Sequence, residues 1–485
     1  MLLVVAFLAS ACADSGSAEQ STQAETTTSA TPTTSKITTA EPSATVAAVE
    51  PEPAAVPVRM QLEWLVTMLN DGGTLTNADA EAHFSPQFLS QVPVEQLVGL
   101  IPQLFALAEP PYSVDEFEAF ENGTATESQL RGASGGLLSV QMGVDAVAPH
   151  LIEGLLITPA VQAIPEDVTV DSIDAALAEI GELSSVGVYN VSGDECEAVH
   201  EVRTDSSIVL GSVFKLWVLA ALASEIDAGR ATWDETLTVT DELRSTPGGQ
   251  IYPMDTGTEV SIEDLARVMI AISDNTATDM LLDRLGRETV EAAMVRSGVG
   301  DPAANVPMMS TGNLFALKFV PDEPNASDYR ALDEVGRRAL LDELDERLLP
   351  WVVSGASLEE LAATPNADGV PINKPRDLDI EWFATPEDLC RTMLHLGELA
   401  ETPGLELVAT ILEESSGGGL PFDGDRWPTI RFKGGSEPGV LAGVWWFEGS
   451  DGDRYVVAGG VTDSENALNE TDAITTLAAA IQLVG

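Results

Sequence analysis

A stretch near the middle of the chain constrains it most. Ser206-Ser207-Ile208-Val209-Leu210-Gly211-Ser212-Val213-Phe214-Lys215 runs straight into Leu216-Trp217-Val218-Leu219-Ala220-Ala221-Leu222. A run this apolar reads as a helix buried on all sides, so the residues at its mouth are carried inward with it. Ser212 and Lys215 stand three apart, a spacing that puts both on one helix face. A serine hydroxyl is a weak nucleophile until a neighbouring base takes its proton. Burial pushes a lysine towards its neutral, basic form. The helix N-terminus adds unpaired N–H groups and a positive dipole end beside Ser212. An S-x-x-K pair nevertheless recurs by chance about once in a chain this long.

Two further stretches give that pair its meaning. Ser261 and Asp264 open a helix with a capping-box pattern, and this helix is expected to end near Ser273-Asp274-Asn275. Later comes Arg431-Phe432-Lys433-Gly434-Gly435-Ser436, a strand pattern with a lysine followed by small residues. In this order the three are the S-x-x-K, S-D-N and K-[TS]-G set of serine β-lactamases and penicillin-binding proteins. The text around Ser212-Val213-Phe214-Lys215-Leu216 and Ser273-Asp274-Asn275-Thr276-Ala277-Thr278-Asp279 resembles class A β-lactamases closely. Only five lysines occur (Lys36, Lys215, Lys318, Lys374 and Lys433), and two of them fall in these motifs.

The resemblance implies roles. Ser212 would attack an amide or ester carbonyl and form an acyl-enzyme, with Lys215 taking its proton directly or through a water. Ser273 would relay a proton to the leaving atom. Asn275 would bind the substrate side chain and Lys215, while Lys433 would attract a substrate carboxylate, with Gly435 and Ser436 completing the substrate-binding strand. The oxyanion hole would be the N–H groups of Ser212 and Ser436.

Two departures from the family pattern stand out. Gly434 replaces the Thr or Ser that usually follows the lysine. The E-x-x-L-N segment, whose Glu drives deacylation through a water in class A enzymes, is missing from the long section Asp301 to Trp382. Glu359, Glu360 and Glu381 are substitutes between which spacing does not choose. The acyl-enzyme is therefore expected to form readily and hydrolyse slowly, as in a weak β-lactamase, an esterase or a D,D-peptidase. The alternative is a non-hydrolytic envelope lipoprotein, acylated or occupied without turnover.

The rest of the chain supplies context. Residues 1–12 read as an export signal: Leu2 to Leu8 is too short to span a bilayer, and Leu8-Ala9-Ser10-Ala11-Cys12 resembles a bacterial lipobox with Cys12 as the lipidated residue. Residues 13–57 are Ser-, Thr- and Pro-rich and read as a tether. Residues 58–160 turn globular, with helical periodicity from Met60 to Asn70 and around Pro93–Leu107, then strand patterns at Ser113–Asn122, Thr124–Arg131 and Gly136–Gln141. Followed by a β-lactamase-like module, this segment resembles actinobacterial lipoproteins and a clavulanate-cluster protein that begin with a ketosteroid-isomerase-like (NTF2-like) domain. His83 is taken there as a surface or capping residue.

Residues 165–485 form the second domain: a helix over Val170–Ile180, a hairpin from Val186, strands at Leu441–Phe447 and Tyr455–Gly460, and a closing helix Ala473–Val484. The fold class expected is α+β, an NTF2-like domain before an α/β sandwich whose antiparallel sheet comes from both ends of the domain, with a helical subdomain (about 212–415) between. The formal net charge of −55 disfavours nucleic acid and anionic lipid as partners, leaving membrane attachment to the lipid anchor alone. Four scattered histidines indicate no metal or other cofactor site and no Ser-His-Asp triad. An export context permits a bond between Cys196 and Cys390, but with one beside a hairpin and the other within a helix, two free buried thiols is the reading preferred.

Overall fold

The computed structural model describes residues 56–484, apart from 109, 121–122, 134–135, 161–163, 166, 194, 321–323 and 356–373. Cys12, the export signal, nearly all of the tether, Glu359 and Glu360 lie outside the described residues. The chain divides after Pro159 into two compact units.

The first unit carries four helices, α1 (Pro57–Asn70), α2 (Asn77–His83), α3 (Pro86–Gln91) and α4 (Val94–Leu107). An antiparallel sheet follows in simple order: β1 (Ser113–Phe120), β2 (Ala125–Arg131), β3 (Leu137–Val144) and β4 (Ile152–Pro159). Helix α1 buries Val58, Leu62, Leu65 and Leu69, the i, i+3/i+4 stripe that its sequence period demands. In β3, alternate residues Leu138, Val140, Met142 and Val144 point into the same core. Two short helices and β4 were not anticipated from the pattern. His83 ends α2 and is half-buried: its ring stacks on Trp64 at 3.7 Å, and its Nδ1 meets Gln61 Oε1 at 2.8 Å.

The second unit opens with α5 (Val170–Ile180), β5 (Leu183–Asn190) and β6 (Glu197–Val202), then β7 (Ile208–Val209). After a 3₁₀ turn over Gly211–Phe214 come α6 (Lys215–Asp227), β8 (Thr236–Thr238), β9 (Glu259–Ser261), α7 (Ile262–Ala271), α8 (Asn275–Leu285) and α9 (Arg287–Arg296). The section continues through α10 (Thr311–Phe319), α11 (Ala326–Ala331), α12 (Glu334–Asp345), α13 (Pro350–Ser354), β10 (Phe383–Ala384), α14 (Pro386–Ala400) and α15 (Leu407–Glu413). The chain then returns to the sheet as β11 (Thr429–Glu437), β12 (Val440–Glu448) and β13 (Arg454–Thr462), closed by α16 (Glu470–Ala479). The main sheet has the order β11-β12-β13-β5-β6, all antiparallel.

Strand β12 is buried on both faces because helices cover both. Its residues alternate between two cores: Ala442, Val444 and Trp446 join the core around α6 and α14, while Leu441, Trp445 and Phe447 pack with Ile173, Leu177 and Leu477 of α5 and α16. At about 25 cal/mol per Å² of apolar surface removed from water, each fully buried large side chain there contributes about 1.5–3 kcal/mol.

Two expectations need correction. The α-helix begins at Lys215, not at Ser212, because Gly211–Phe214 winds as a 3₁₀ turn. Three residues per turn eclipse positions i and i+3, so the S-x-x-K residues stay on one side. Cys196 and Cys390 are not free thiols: they form a disulfide, with Cα atoms 6.3 Å apart. Cys196 sits immediately before β6, and α14 packs against β5 and β13 beside that hairpin, so tertiary packing brings together thiols 194 residues apart.

Candidate active site

Ser212 lies on the 3₁₀ turn, where it is partly exposed at the wall of a cleft of about 540 Å³. The cleft is also lined by Ser273, Asn275, Gly435 and Ser436. Trp382 holds the turn in place: Phe214 stacks on it at 3.8 Å, nearly parallel, and Leu210 N–H donates to Trp382 O at 2.9 Å.

Lys215 is completely buried. Its Nζ donates to Ser273 O (2.7 Å), Ser273 Oγ (3.1 Å) and Asn275 Oδ1 (2.7 Å). Burial lowers its pKa to about 7, against the opposing pull of Asp279 and Asp274. It can therefore sit neutral near neutral pH, as a proton acceptor must. Lys433 comes from β11, the opposite wall, and its Nζ donates to Ser273 Oγ at 3.0 Å and to Gly434 O. Burial first, and the neighbouring Lys215 second, hold Lys433 well below the ordinary lysine range. The two amines thus meet at one hydroxyl, that of Ser273.

Ser273 is placed by its backbone. Helix α7 stops at Ala271 and α8 starts at Asn275, with Ser273 between them at φ 60°, a left-handed conformation rare for a residue with a side chain. Such strain concentrates at functional sites and persists only where the surroundings enforce it. Asp274 supplies the enforcement: its carboxylate caps α8 by accepting from Ala277 N–H and also accepts from Ile251 N–H, both at 2.9 Å. Asn275 is oriented by donating its Nδ2 to Pro247 O at 3.3 Å.

Gly435 proves to be a residue of close approach. A Cβ there would lie 2.2 Å from Leu210 O and 2.4 Å from Ser212 N, so β11 reaches the nucleophile's turn only because position 435 lacks a side chain. The approach brings the Ser436 amide beside the Gly211–Ser212 segment; a Cβ on Gly211 would be 3.3 Å from Ser436 N. The N–H groups of Ser212 and Ser436 therefore sit on facing segments of the same cleft.

With this geometry in place, comparison with known families decides the kinship. Residues 170–483 match the model of the β-lactamase enzyme family, and residues 53–148 match one described as the N-terminal region of an ORF 12 gene product. The first match spans well over half of the chain. The chain belongs to the β-lactamase enzyme family. Similar solved structures include a β-lactamase from Sphaerobacter thermophilus DSM 20745, at 21% identity and TM-score 0.45, covering 65% of this chain and 96% of that one. An ancestral (GNCA) class A β-lactamase aligns at 18% identity and TM-score 0.43 over 65% of this chain and 98% of its own. The protein PBP-A aligns at 17% identity and TM-score 0.40 over 66% and 98%. No curated protein sequence matches.

Against this family background, the cleft wall holds a group that no motif announced. Lys318 of α10 is buried between two carboxylates, pairing with Glu381 and, at 2.6 Å, with Glu437. Glu437 directly follows Ser436, and both glutamates line the cleft. Burial opposes the charge on Lys318, but the paired carboxylates outweigh it and raise its pKa. Burial also pushes Glu381 well above the usual carboxylate range, although Lys318 pulls the other way. The signal available in sequence was faint: a lysine among only five, and a glutamate just before Trp382-Phe383.

Proposed function

We propose that the second unit is a serine hydrolase forming an acyl-enzyme at Ser212 with β-lactam, ester or peptide substrates. The observation that carries this reading is the convergence of two buried lysines on Ser273 in the cleft that holds Ser212. In this reading a substrate carbonyl sits between Ser212 and the amides of Ser212 and Ser436, each donor stabilising the oxyanion by about 3–4 kcal/mol. Lys215 takes the hydroxyl proton, and Ser273 passes a proton to the leaving nitrogen or oxygen, recharged by its lysine neighbours. Asn275 contacts the substrate side chain, and Lys433 favours substrates carrying a carboxylate. We propose further that the chain is exported and lipid-anchored through Cys12 on the outer face of the cytoplasmic membrane; the short apolar leader supports this. Among the described residues, no helix is long and apolar enough to cross a membrane. The first unit is proposed as an NTF2-like module, supported by its order of helices followed by an antiparallel sheet.

The second reading, an envelope binding protein acylated without turnover, is favoured by the missing E-x-x-L-N segment. Intact-protein mass spectrometry with benzylpenicillin, a chromogenic cephalosporin and an activated ester tests both. The wild type is expected to gain the probe's acyl mass or to turn the probe over, and Ser212→Ala to do neither while keeping its melting temperature. Labelling of Ser212→Ala, or inertness of the wild type to all three probes, overturns the assignment. A permanent wild-type adduct without turnover selects the second reading.

A further inference from the structure

We propose that Lys318 is a positioning residue for acylation: by clasping Glu381 and Glu437 it ties the segment that holds the Ser212 turn to the strand that carries Ser436, and so fixes the spacing of the two oxyanion donors. This rests on the acyl-enzyme reading above and deepens it, giving a task to the buried cluster that no motif announced.

Three observations carry it. The first is connectivity. Glu381 directly precedes Trp382, whose carbonyl accepts from Leu210 N–H and whose ring stacks on Phe214, so Trp382 grips the nucleophile's turn on both sides of Ser212. Glu437 directly follows Ser436 on β11. Lys318 Nζ donates to Glu381 Oε1 and, at 2.6 Å, to Glu437 Oε1. One ammonium group therefore links the Ser212 turn to the Ser436 amide. The helix that carries it is itself fixed to the S-D-N wall. At the start of α10 the N–H groups of Thr311 and Gly312 donate to the Asp279 carboxylate, each at 2.8 Å, and Thr311 Oγ1 donates to Asn275 O at 3.3 Å.

The second observation is what the facing segments lack. Gly211 and Gly435 let the turn and β11 come into close contact. Yet among the described residues no backbone hydrogen bond joins Gly211–Phe214 to Thr429–Glu437. Contact alone sets only the shortest approach. A tie must set the longest, and the Lys318 cluster spans the gap.

The third is the cost of the cluster. The side chains of Lys318 and Glu381 are 1% and 0% exposed, and that of Glu437 is 10% exposed. A buried ion cluster is a poor source of stability, and apolar side chains of similar size often do as well or better. What it supplies is direction: charged hydrogen bonds are short and orient their partners, whereas apolar contacts let surfaces slide. The same enclosure removes Glu381 from the candidates for activating a water. Glu470, the third glutamate on the cleft wall, hydrogen-bonds Ser436 from α16. It holds β11 from that helix's side and leaves the link to the nucleophile's side to Lys318.

Spacing matters because of where charge goes. In acylation Ser212 Oγ bonds to the carbonyl carbon, its proton passes to Lys215, and the carbonyl π pair moves onto oxygen. The N–H groups of Ser212 and Ser436 receive that oxygen together. Donors aimed in advance stabilise it without reorganising, and a displacement of about 1 Å costs on the order of 10²-fold in rate. Lys318 acts on this step through two backbone segments and touches no reacting atom.

The test compares wild type, Glu437→Met, the triple variant Lys318→Met with Glu381→Met and Glu437→Met, and Ser212→Ala. The probes are benzylpenicillin, the chromogenic cephalosporin and phenylboronic acid, whose adduct with Ser212 places an oxygen where the oxyanion stands. Glu437→Met cuts the link to β11 and leaves Lys318 paired with Glu381. The triple variant removes every charge of the cluster and decides the matter if the single variant folds poorly. Both are expected to keep the wild-type burst amplitude and, within a few-fold, the dissociation constant of the first complex. The acylation rate constant at saturating probe is expected to fall about 10–10²-fold, with phenylboronic acid binding weakened by a similar factor. The acylation midpoint near pH 7 set by Lys215 stays in place. A folded triple variant that acylates at the wild-type rate overturns the inference. So does a loss confined to burst amplitude, which marks misfolded molecules, or one confined to the first complex. A displaced midpoint with unchanged phenylboronic acid binding also overturns it, because the cluster's charge would then act on Lys215. All of these leave the acyl-enzyme reading intact. A wild type that forms no adduct and turns over no probe, like Ser212→Ala, defeats the acyl-enzyme reading itself and this inference with it.

Discussion

The two units bury quite different things. In the first, the buried polar groups among the described residues are Gln61, Ser85, Thr126 and Ser128, with the Tyr112 hydroxyl, which burial pushes up to about 12 and so keeps uncharged. Local partners satisfy them: Gln61 donates to His150 O at 2.9 Å, and the Thr126 and Ser128 hydroxyls meet at 2.6 Å. The second unit buries Lys215, Lys318, Lys433, Asp274, Asp279, Glu381, Arg287 and Asp388. An ion taken out of water costs several kcal/mol unless it is paired and hydrogen-bonded. A fold that only needed stability would fill those positions with apolar side chains. Five of these eight charges (Lys215, Lys318, Lys433, Asp274 and Glu381) lie at or immediately behind one cleft, so their cost is carried where charge and proton transfer are useful. The contrast separates a unit whose core is a packing problem from one whose core is also an electrostatic device.

The most severe way to break this contrast is to remove Lys215. Lys215→Ala is expected to slow acylation of Ser212 by about 10²–10⁴-fold, read from the burst phase with a penicillin. In the wild type, acylation should rise through about pH 7 as Lys215 loses its proton, with Lys433, Asp274 and Asp279 the charged neighbours that shape the profile. The sign for stability follows from the same shift. The folded lysine titrates below its ordinary value, so between about pH 7 and the ordinary lysine range the unfolded chain holds a proton that the folded one lacks. Stability from this group therefore rises with pH across that window. Acylation that stays level from pH 5 to 9 would remove Lys215 as the base.

A truncation in the first unit should look different. Phe84, buried and stacked on Phe88 at 5.0 Å, is expected to cost about 3–5 kcal/mol as Phe84→Ala. The loss should be the same at pH 7 and pH 9 in urea unfolding, because among the described residues the ionisable groups of that core stay neutral there: burial pushes Tyr112 up to about 12 and lowers His83, stacked on Trp64, below its usual value. A strongly pH-dependent loss would erase the distinction between the units. The smallest effect is expected from the covalent link. Cys196→Ser should lower the stability of the second unit by about 2–4 kcal/mol, seen as a lower melting temperature that reducing agent reproduces in the wild type. A reductant-insensitive wild type would show that the bond contributes little.

How readily each feature could be read depended on how local its cause was. The S-x-x-K, S-D-N and lysine–glycine motifs are short strings, and Ser212, Lys215, Ser273, Asn275, Lys433, Gly435 and Ser436 all stand at one cleft or immediately behind it. Helix α5 was legible from Val170 to Ile180 because its apolar spacing and the Thr169 cap act within a few residues. The pairing of the buried lysine with two glutamates was not, since Lys318 reaches partners 63 and 119 residues away; of the three only Glu381 was singled out, and then as one of three interchangeable candidates. Cys196 and Cys390 failed for the same reason. The 3₁₀ turn before α6 escaped because its hydrogen-bond pattern differs from an α-helix by one residue while the apolar spacing stays compatible with both.

One feature of the sheet bears on the order of events during synthesis. Strand β5 has β13 as a neighbour in the register Tyr189↔Val456 and Val186↔Gly459, so an early strand waits for one translated about 270 residues later. Lys433 also arrives on one of these late strands. A nascent chain still attached to the ribosome at residue 400 carries Ser212, Lys215, Ser273 and Asn275 but has only the β5–β6 pair of the sheet and no second amine for Ser273. Pairings this distant in sequence form slowly and leave apolar edges uncovered meanwhile. Newly made chains are therefore most in need of chaperone protection during that interval, and chemical competence comes only with the last quarter of the polypeptide.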